Sequence, residues 1–185
     1  MEVTVTPVAD VRPDEMDEWK RLAQKVHPPD ETRLGGNLRW ADLDKATDYL
    51  IRAREDGTLR SCGWVTRRTI AVGGEAITVA GIRGVQTDPA ARRRGYGRAV
   101  MLAAHDLMRS FGDCDYAMLF SSEMAVPFYK DLGWQEVQGP VMCDQPEGRI
   151  NYTTTLPPSA PVMMLMLRDL GALPTGPIEV HGFPW

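Results

Sequence analysis

The sequence has few of the residues that mark metalloproteins, disulfide-rich proteins or membrane proteins. Its 185 residues include 3 cysteines and 3 histidines, which stand far apart in no spacing that suits a metal site. Such a sparse, odd set of cysteines is typical of buried thiols in a reducing compartment. The most apolar run, residues 162–167, ends at Arg168 and is far shorter than the roughly 18 residues that predict a membrane span. We therefore expect no metal site and no membrane contact.

Targeting signals and an excess of positive charge are missing as well. No basic-then-apolar leader begins the chain, so a cytoplasmic protein is expected. The formal net charge of −4 and a pI near 5.4 argue against general nucleic-acid binding. The length predicts one domain over residues 1–185. A mildly acidic chain is compatible with a cationic small-molecule substrate.

Two common phosphate-binding sequence motifs are also absent, and the chain contains a different basic, glycine-containing segment. The chain lacks the Gly-x-x-x-x-Gly-Lys-Ser/Thr of nucleoside triphosphatases and the Gly-x-Gly-x-x-Gly of dinucleotide folds. After a turn at Asp88-Pro89 it instead reads Arg92-Arg93-Arg94-Gly95-Tyr96-Gly97-Arg98, and a helix-forming stretch follows. A helix start leaves backbone N–H groups without internal partners, and the helix dipole and the arginines add positive charge. This segment is therefore a candidate pyrophosphate site.

The periodicity of apolar residues predicts an α+β fold. Strands are expected at residues 2–8, 59–70, 76–87, 116–120, 134–137, 151–156 and 162–167. Helices are expected at residues 13–26, 42–55, 97–111 and 124–132. Gly73-Gly74 turns a hairpin, and residues 138–149 are interpreted as a long hairpin connection. This order favours a mixed, mostly antiparallel sheet flanked by helices over a doubly wound one.

A second motif follows the strand predicted at residues 116–120. It contains Ala125-x-x-Phe128-Tyr129-x-x-x-Gly133-Trp134, preceded by Ser121-Ser122-Glu123. With Arg92-x-x-Gly95-x-Gly97 before it and one strand between them, it resembles the second coenzyme A-facing motif of the GNAT superfamily of N-acetyltransferases. The resemblance implies the GNAT fold, in which splayed central strands form the acyl-CoA cleft.

The resemblance also implies the cofactor and its contacts. Acetyl-CoA is the expected acyl donor, without a metal, and its contacts are expected at Val85, Gln86, Thr87, Arg92, Arg93, Arg94, Gly95, Tyr96, Gly97, Arg98, Ser122 and Phe128. Tyr129 matches the tyrosine that protonates the departing thiolate, since a phenol with a pKa of about 10 can supply a proton. Structural alternatives stay open: a core role for Phe128, helix capping by Ser122, and a Tyr129 hydroxyl satisfied elsewhere.

Within the superfamily the sequence is most similar to the aminoglycoside 2′-N-acetyltransferases. The similarity rests on Arg67-Arg68 before the Gly73-Gly74 turn, on Gly84-Val85 leading into the basic loop, and on the final Trp185. It implies an aminoglycoside-type substrate, a role in antibiotic resistance and a homodimer. The acceptor side of the site is expected at Trp40, Arg83, Gly84, Glu123 and Trp185.

Two departures from those enzymes change the expected substrate. Arg83 stands just before Gly84, where they carry a glutamate, and Phe183 stands where they carry an acid. An arginine disfavours a polycation but pairs well with a carboxylate. The sharpest hypothesis is therefore acetylation of the 2′-amine of kasugamycin, which bears both an amino sugar and a carboxyl group. Arg83 in a structural ion pair stays open as an alternative.

The general base and the functional class are left open at this point. Candidates for the base are Glu123, Asp30, Glu31, the carboxylate of Trp185 and an ordered water. Other classes are an N-acetyltransferase for a small metabolite or a peptide amine, and a non-catalytic acyl-CoA sensor. Direct transfer needs no nucleophilic cysteine, and Cys114 is expected to be a small core residue.

Overall fold

The computed structural model describes residues 1–27, 41–44, 48–155 and 161–185. Within these ranges the chain forms ten strands, four α-helices and three short 3₁₀ helices. The strands are β1 (Glu2–Pro7), β2 (Tyr49–Glu55), β3 (Thr58–Val72), β4 (Glu75–Thr87), β5 (Tyr116–Phe120), β6 (Gln135–Glu136), β7 (Val141–Gln145), β8 (Gly148–Asn151), β9 (Val162–Met166) and β10 (Ile178–Glu179). The helices are α1 (Pro13–Val26), α2 (Tyr96–Ser110), α3 (Val126–Lys130) and α4 (Tyr152–Thr155).

The chain divides into two compact units. The first comprises Met1–Arg33, Leu43–Thr66 and Ile82–Ser110, and the second comprises Leu34–Asp42, Arg67–Gly81 and Phe111–Trp185. Strands β3 and β4 therefore contribute residues to both units. The single domain expected over residues 1–185 stays a prediction.

In the first unit, β1, β2 and the first part of β3 pair antiparallel in that order. Helix α1 begins at Pro13, where a missing N–H costs no helical hydrogen bond. Its apolar side packs Trp19 edge-on against Trp64, with ring centroids 5.3 Å apart, and buries Leu22 in the same cluster. Each such buried side chain stabilises the fold by roughly 1.5–3 kcal/mol, so this face fixes α1 on the sheet.

Residues 49–55 form strand β2, and the helix predicted over residues 42–55 is wrong for this part. Leu50, Ile51 and Ala53 are all fully buried, so apolar side chains cover both faces of the segment. In a segment this short, the spacing of the apolar residues does not distinguish a buried strand from a helix. Pairing with β1 on one edge and β3 on the other satisfies the backbone of β2 and overrides its helix propensity.

In the second unit the strands follow the order β6–β9–β5–β4–β3–β10–β7–β8. β5 runs parallel to β4, and β10 lies antiparallel to β3 and parallel to β7. The core of this unit is formed by buried side chains from six of these strands, from α4 and from the C-terminal segment, among them Ile70, Val79, Met118, Val141, Met164 and Trp185. The mixed sheet flanked by helices confirms the predicted α+β class.

The segment after β6 differs from its prediction in two places. The connection expected over residues 138–149 contains a hairpin of its own, formed by β7 and β8. The strand expected over residues 151–156 is wrong for Tyr152–Thr155, which form α4. Asn151 explains the change, because its Oδ1 accepts hydrogen bonds from the Thr153 N–H at 3.3 Å and the Thr153 hydroxyl at 2.8 Å. A side chain that caps backbone N–H groups favours a helix start over a continuing strand.

Candidate functional site

The basic segment predicted as an anion site connects β4 to α2 in the first unit. Gly84, inside β4, has a φ of +56°, which glycine adopts without a Cβ clash. A Cβ at this position would stand 3.3 Å from Cδ1 of Trp64. Both the backbone angle and the close indole ring therefore require glycine here.

A fixed turn leads from β4 into the loop. Asp88 Oδ1 accepts a hydrogen bond from the Ala90 N–H at 3.0 Å, and Lys25 Nζ donates to Asp88 Oδ2 at 3.4 Å. The Ala90 hydrogen bond, with help from Lys25, holds the pKa of the Asp88 carboxyl below its usual value. The Asp88 N–H donates to the carbonyl of Arg60 at 2.8 Å. These contacts tie the turn to α1 and to β3.

The loop presents positive charge beside the start of a helix. Arg93 and Gly95 have left-handed φ values of +60° and +88°, and the side chains of Arg92, Arg93 and Arg98 are exposed. Helix α2 begins at Tyr96, and the first N–H groups of a helix have no intrahelical partner. A Cβ at Gly95 would have no heavy atom within 4 Å, so the backbone there is open to a ligand. Together these groups suit a diphosphate.

The fourth arginine of the loop is paired with an acid from another strand. Arg94 Nη2 donates to Oε1 of Glu55, the last residue of β2, at 2.7 Å, and its guanidinium carbon lies 5.4 Å from the Tyr96 ring centre. The Tyr96 hydroxyl also hydrogen-bonds Glu55, and Arg60 Nη2 stands 3.5 Å from Glu55 Oε2. These contacts, the Tyr96 hydrogen bond above all, lower the pKa of Glu55.

Sequence reasoning missed Glu55. The acid stands 39 residues before Arg94 in the chain, and no local pattern links the two. The signal that could have found it is the position of Glu55 at the Asp56-Gly57 turn. There the side chain reaches beyond the end of β2.

The residues predicted to contact pantetheine lie at the end of β4. Ser61 Oγ donates to the Gln86 carbonyl at 2.7 Å and lies 2.9 Å from Thr87 Oγ1. Val85 is half-buried, and its Cγ2 would stand 3.3 Å from a Cβ at Gly63. The end of β4 is thus held firmly by β3, and its contact with pantetheine stays a prediction.

The second motif folds as a 3₁₀ turn followed by α3 in the second unit. Tyr129 is 9% exposed and meets Phe128 and Trp134 edge-on, at centroid distances of 5.1 and 6.3 Å. Burial raises the pKa of Tyr129 to about 12, so its hydroxyl carries its proton at neutral pH. Helix α3 ends at Lys130, two residues earlier than predicted, and Gly133 follows with a φ of +89°, the left-handed conformation predicted for it. The arrangement keeps a protonated phenol inside a rigid aromatic cluster.

The residues before α3 are more open. Ser122 makes no side-chain capping hydrogen bond, so the capping alternative for its hydroxyl is wrong. The Ser121 hydroxyl donates to the carbonyl of Ser122 at 2.8 Å. Glu123 is exposed, and Met124 is 91% exposed.

The residues predicted on the acceptor side have different environments. Arg83 is half-buried on β4 in the first unit, next to the exposed Gly84. In the second unit Trp185 is only 3% exposed, and its ring meets Phe120 edge-on with centroids 5.2 Å apart. Its contact with a substrate stays a prediction. Trp40 lies outside the described residues, as do the candidate bases Asp30 and Glu31.

Other titratable groups of the chain have structural environments. Burial lowers the pKa of His105 to about 4, so this buried histidine of α2 is uncharged at neutral pH. The three cysteines are buried and free, and burial raises the pKa of Cys114 to about 11. Across the described ranges no group of three or more His, Cys, Asp or Glu could hold a metal ion. In those same ranges no helix has both the length and the apolar character needed to cross a membrane.

The sequence and the fold are similar to those of known proteins. A profile of the acetyltransferase (GNAT) domain matches residues 8–137, which is more than half of the chain. The structure is similar to Escherichia coli ElaA, with a TM-score of 0.64 at 12% identity over 89% of this chain and 98% of that one. It is also similar to the GNAT family N-acetyltransferase YhbS of Escherichia coli in complex with CoA, with a TM-score of 0.60 at 16% identity over 97% and 89% of the two chains.

A third similar structure is the ribosomal-protein-S18-alanine N-acetyltransferase of Escherichia coli. Its TM-score is 0.53 at 14% identity, over 92% of this chain and 97% of that one. At such identities these likenesses establish the fold and leave the acceptor substrate open. No curated protein matches the sequence significantly.

Proposed function

This chain belongs to the acetyltransferase (GNAT) domain family, and we propose that it acetylates an amino group of an aminoglycoside-type antibiotic. GNAT acetyltransferases use acetyl-CoA as the acyl donor, and this is the cofactor of the reaction. The 2′-amine of kasugamycin is the first candidate acceptor, and its acetylation would confer resistance. The observation that carries the substrate class is Arg83, a half-buried cation on β4 directly before Gly84.

The basic loop fits the diphosphate of coenzyme A. Arg92, Arg93 and Arg98 are exposed cations, and the first turn of α2 supplies backbone N–H groups. Gly95 has no Cβ to separate a phosphate oxygen from the backbone. Charge-assisted hydrogen bonds of this kind are roughly twice as strong as neutral ones. The bound cofactor supplies the acetyl thioester, and the loop holds it by its anionic end.

Tyr129 is the proposed general acid. The amine nitrogen forms a bond to the thioester carbon, the carbon–sulfur bond breaks, and the sulfur takes the phenolic proton. A Tyr129 pKa of about 12 keeps that proton in place until a thiolate develops beside it. A backbone N–H near Val85 polarises the thioester carbonyl, and Ser122 and Phe128 contact the pantetheine arm. The attacking nitrogen loses one proton to a base, for which Glu123 is the exposed candidate among the described residues.

The charge of the acceptor side favours a zwitterionic amine. A guanidinium at Arg83 forms bidentate hydrogen bonds with a carboxylate and repels a polycation. Kasugamycin carries a carboxyl-bearing amidine arm as well as an amino sugar. Antibiotics of the gentamicin or kanamycin kind have several amines and no carboxylate, so they fit this arginine poorly.

The proposal is tested by incubating the protein with acetyl-CoA and each of a panel of amines and measuring the CoA thiol that is released. The panel contains kasugamycin, a gentamicin-type and a kanamycin-type antibiotic, a small polyamine and a peptide with a free N-terminus. Acetylation of kasugamycin alone is the expected result, with the product mass increased by one acetyl group. Turnover of the polyamine or the peptide, but not of kasugamycin, assigns the enzyme to another acceptor class and overturns the antibiotic proposal.

A variant pair tests the role of Arg83 in the same assay. Arg83→Ala is expected to raise KM for kasugamycin about tenfold, because a lost charged hydrogen bond costs about 1.5–3 kcal/mol. KM for acetyl-CoA should stay within twofold. Arg109→Ala is the matched control, since Arg109 is an exposed arginine at the end of α2. Equal kinetics for Arg83→Ala and Arg109→Ala would remove the support for a carboxylate-bearing acceptor.

A further inference from the structure

Glu55, on β2, contacts two residues of the cofactor loop and also lies close to an arginine of β3. Its Oε1 accepts from Arg94 Nη2 at 2.7 Å, the Tyr96 hydroxyl bonds the same carboxylate, and Arg60 Nη2 lies 3.5 Å from Oε2. Arg94 and Tyr96 lie on either side of Gly95. The carboxylate therefore holds the loop just before and just after the glycine that opens its backbone.

The loop has physical reasons to need an external support. Arg92, Arg93 and Arg94 stand side by side, and like charges at such spacing repel one another. Arg93 is also left-handed with a φ of +60°, a conformation that costs a non-glycine residue about 1–2 kcal/mol. A carboxylate that neutralises Arg94 and fixes Tyr96 offsets both costs. Without this carboxylate, the backbone between Arg92 and Tyr96 would adopt a wider range of conformations.

Glu55 is itself held rigidly. It ends β2 and pairs with Thr58 across the Asp56-Gly57 turn, and that turn has φ values of +50° and +73°. The Glu55 side chain is 27% exposed, so solvent screens its charge only in part. Tyr96, the first residue of α2, is only 3% exposed. The contacts thus connect a short β-turn to the first residue of the helix.

We propose that Glu55 is a positioning residue, which holds the loop from Arg92 to Gly97 in the conformation that binds the diphosphate of coenzyme A. The inference rests on the proposed cofactor role of that loop. The inference predicts in which direction the affinity for coenzyme A changes when the charge of Glu55 is removed. If Glu55 preorganises the loop, removing its charge weakens coenzyme A binding. If Glu55 only competes with the diphosphate for Arg94, removing its charge strengthens binding.

The test compares dissociation constants for the intact protein by calorimetry, with coenzyme A and with 3′-dephospho-coenzyme A as probes. Glu55→Gln keeps the size of the side chain and removes its charge, and we expect both dissociation constants to rise three- to tenfold. The same factor is expected for both probes because the diphosphate is common to them. Tyr96→Phe removes one of the contacts to Glu55 and should cause a smaller rise in both.

The matched control is Glu179→Gln, which breaks an exposed ion pair with Arg149 in the second unit and should leave both constants unchanged. In an assay with an amine that the enzyme acetylates, Glu55→Gln should raise KM for acetyl-CoA by the same factor and leave kcat within twofold. A general loss of structure would lower kcat as well. If Glu55→Gln proves insoluble, the Tyr96→Phe comparison decides alone.

The outcomes separate the two proposals. A wild-type protein that binds neither probe overturns the proposed function and this inference with it. Wild-type binding combined with equal or tighter binding by Glu55→Gln overturns the inference alone. A rise confined to coenzyme A, with 3′-dephospho-coenzyme A unaffected, also contradicts it, because Glu55 would then act on the 3′-phosphate.

Discussion

The Arg68 guanidinium carbon lies 5.3 Å from the ring centre of Trp185. Its Nη1 donates to the Phe183 carbonyl at 2.5 Å, and its Nη2 donates to the His181 carbonyl at 2.7 Å. Asp144 holds the same segment from the other side, because its Oδ2 accepts from the Gly182 N–H at 2.8 Å. One arginine of β3 and one aspartate of β7 thus fix the last five residues in the second unit.

Arg68→Ala is expected to lower the free energy of unfolding by about 2 kcal/mol, since the part-buried hydrogen bond to Phe183 contributes about 1.5–3 kcal/mol and the exposed one to His181 adds little. Urea unfolding followed by tryptophan fluorescence measures the change. Arg67→Ala is the neighbouring control: Arg67 pairs with the exposed Asp113, and such surface pairs contribute about 1 kcal/mol or less. Equal losses in the two variants would mean that Arg68 does not hold the C-terminal segment.

Gly84 combines a left-handed backbone with a close indole ring. Gly84→Ala should destabilise the protein by about 1–2 kcal/mol through the φ of +56° alone, and further through the 3.3 Å approach of the new Cβ to Trp64. Gly57→Ala isolates the first effect, because Gly57 has a φ of +73° and no heavy atom within 4 Å of a Cβ. Chemical unfolding of both variants gives the difference. A smaller loss at Gly84 than at Gly57 would contradict the close packing on Trp64.

Tyr129 should act as an acid over the whole ordinary pH range. Tyr129→Phe is expected to lower kcat about 10²-fold, the usual contribution of a general acid, and to leave the dissociation constant for coenzyme A unchanged. Because burial raises the pKa of Tyr129 to about 12, its ionisation should cause no fall in kcat between pH 6 and about 10. A pH–rate profile of both proteins checks this. Full activity of Tyr129→Phe would leave the tyrosine with a structural role only.

Asp88 supports the turn before the basic loop. Asp88→Ala removes the cap on the Ala90 N–H and should cost about 1 kcal/mol of stability at pH 7. The folded-state pKa of Asp88 lies below its unfolded value, so this stabilisation is present above about pH 4 and is lost as the pH falls further. Chemical unfolding of the wild type and Asp88→Ala at pH 7 and pH 3 tests whether their stability difference shrinks on acidification. A difference that grows on acidification would contradict the assigned contacts.

Elements with a local signal could be predicted closely from the sequence. Helix α1 matches its predicted span because Pro13 and the acids after it mark a helix start, and β5 matches because a short apolar run is bounded by polar residues. β2 could not be distinguished from a helix, because what makes it a strand is its pairing with β1 and β3, which no local pattern encodes. The start of α4 depends on the cap from Asn151, a weak signal in sequence.

At the candidate site, too, the local features could be predicted from the sequence and the tertiary contacts could not. Glycines, arginines and a helix start adjacent in sequence identify the loop, and Phe128-Tyr129 identifies the aromatic cluster around the proposed acid. The partners of these residues depend on tertiary pairing, as the contact of Glu55 with Arg94 shows. The burial of Trp185 beside Phe120 likewise follows from how β10 inserts between β3 and β7, which no local pattern encodes.

Calorimetric titration of the protein with coenzyme A tests the central claim most directly, namely that the loop from Arg92 to Gly97 binds the cofactor's diphosphate. We expect saturable binding by the wild type and an affinity at least about tenfold weaker for Arg92→Gln, since each charged hydrogen bond contributes about 1.5–3 kcal/mol. Arg109→Gln, which removes an exposed arginine at the far end of α2, should bind like the wild type. No heat with coenzyme A, or equal affinity in Arg92→Gln and the wild type, would contradict the account.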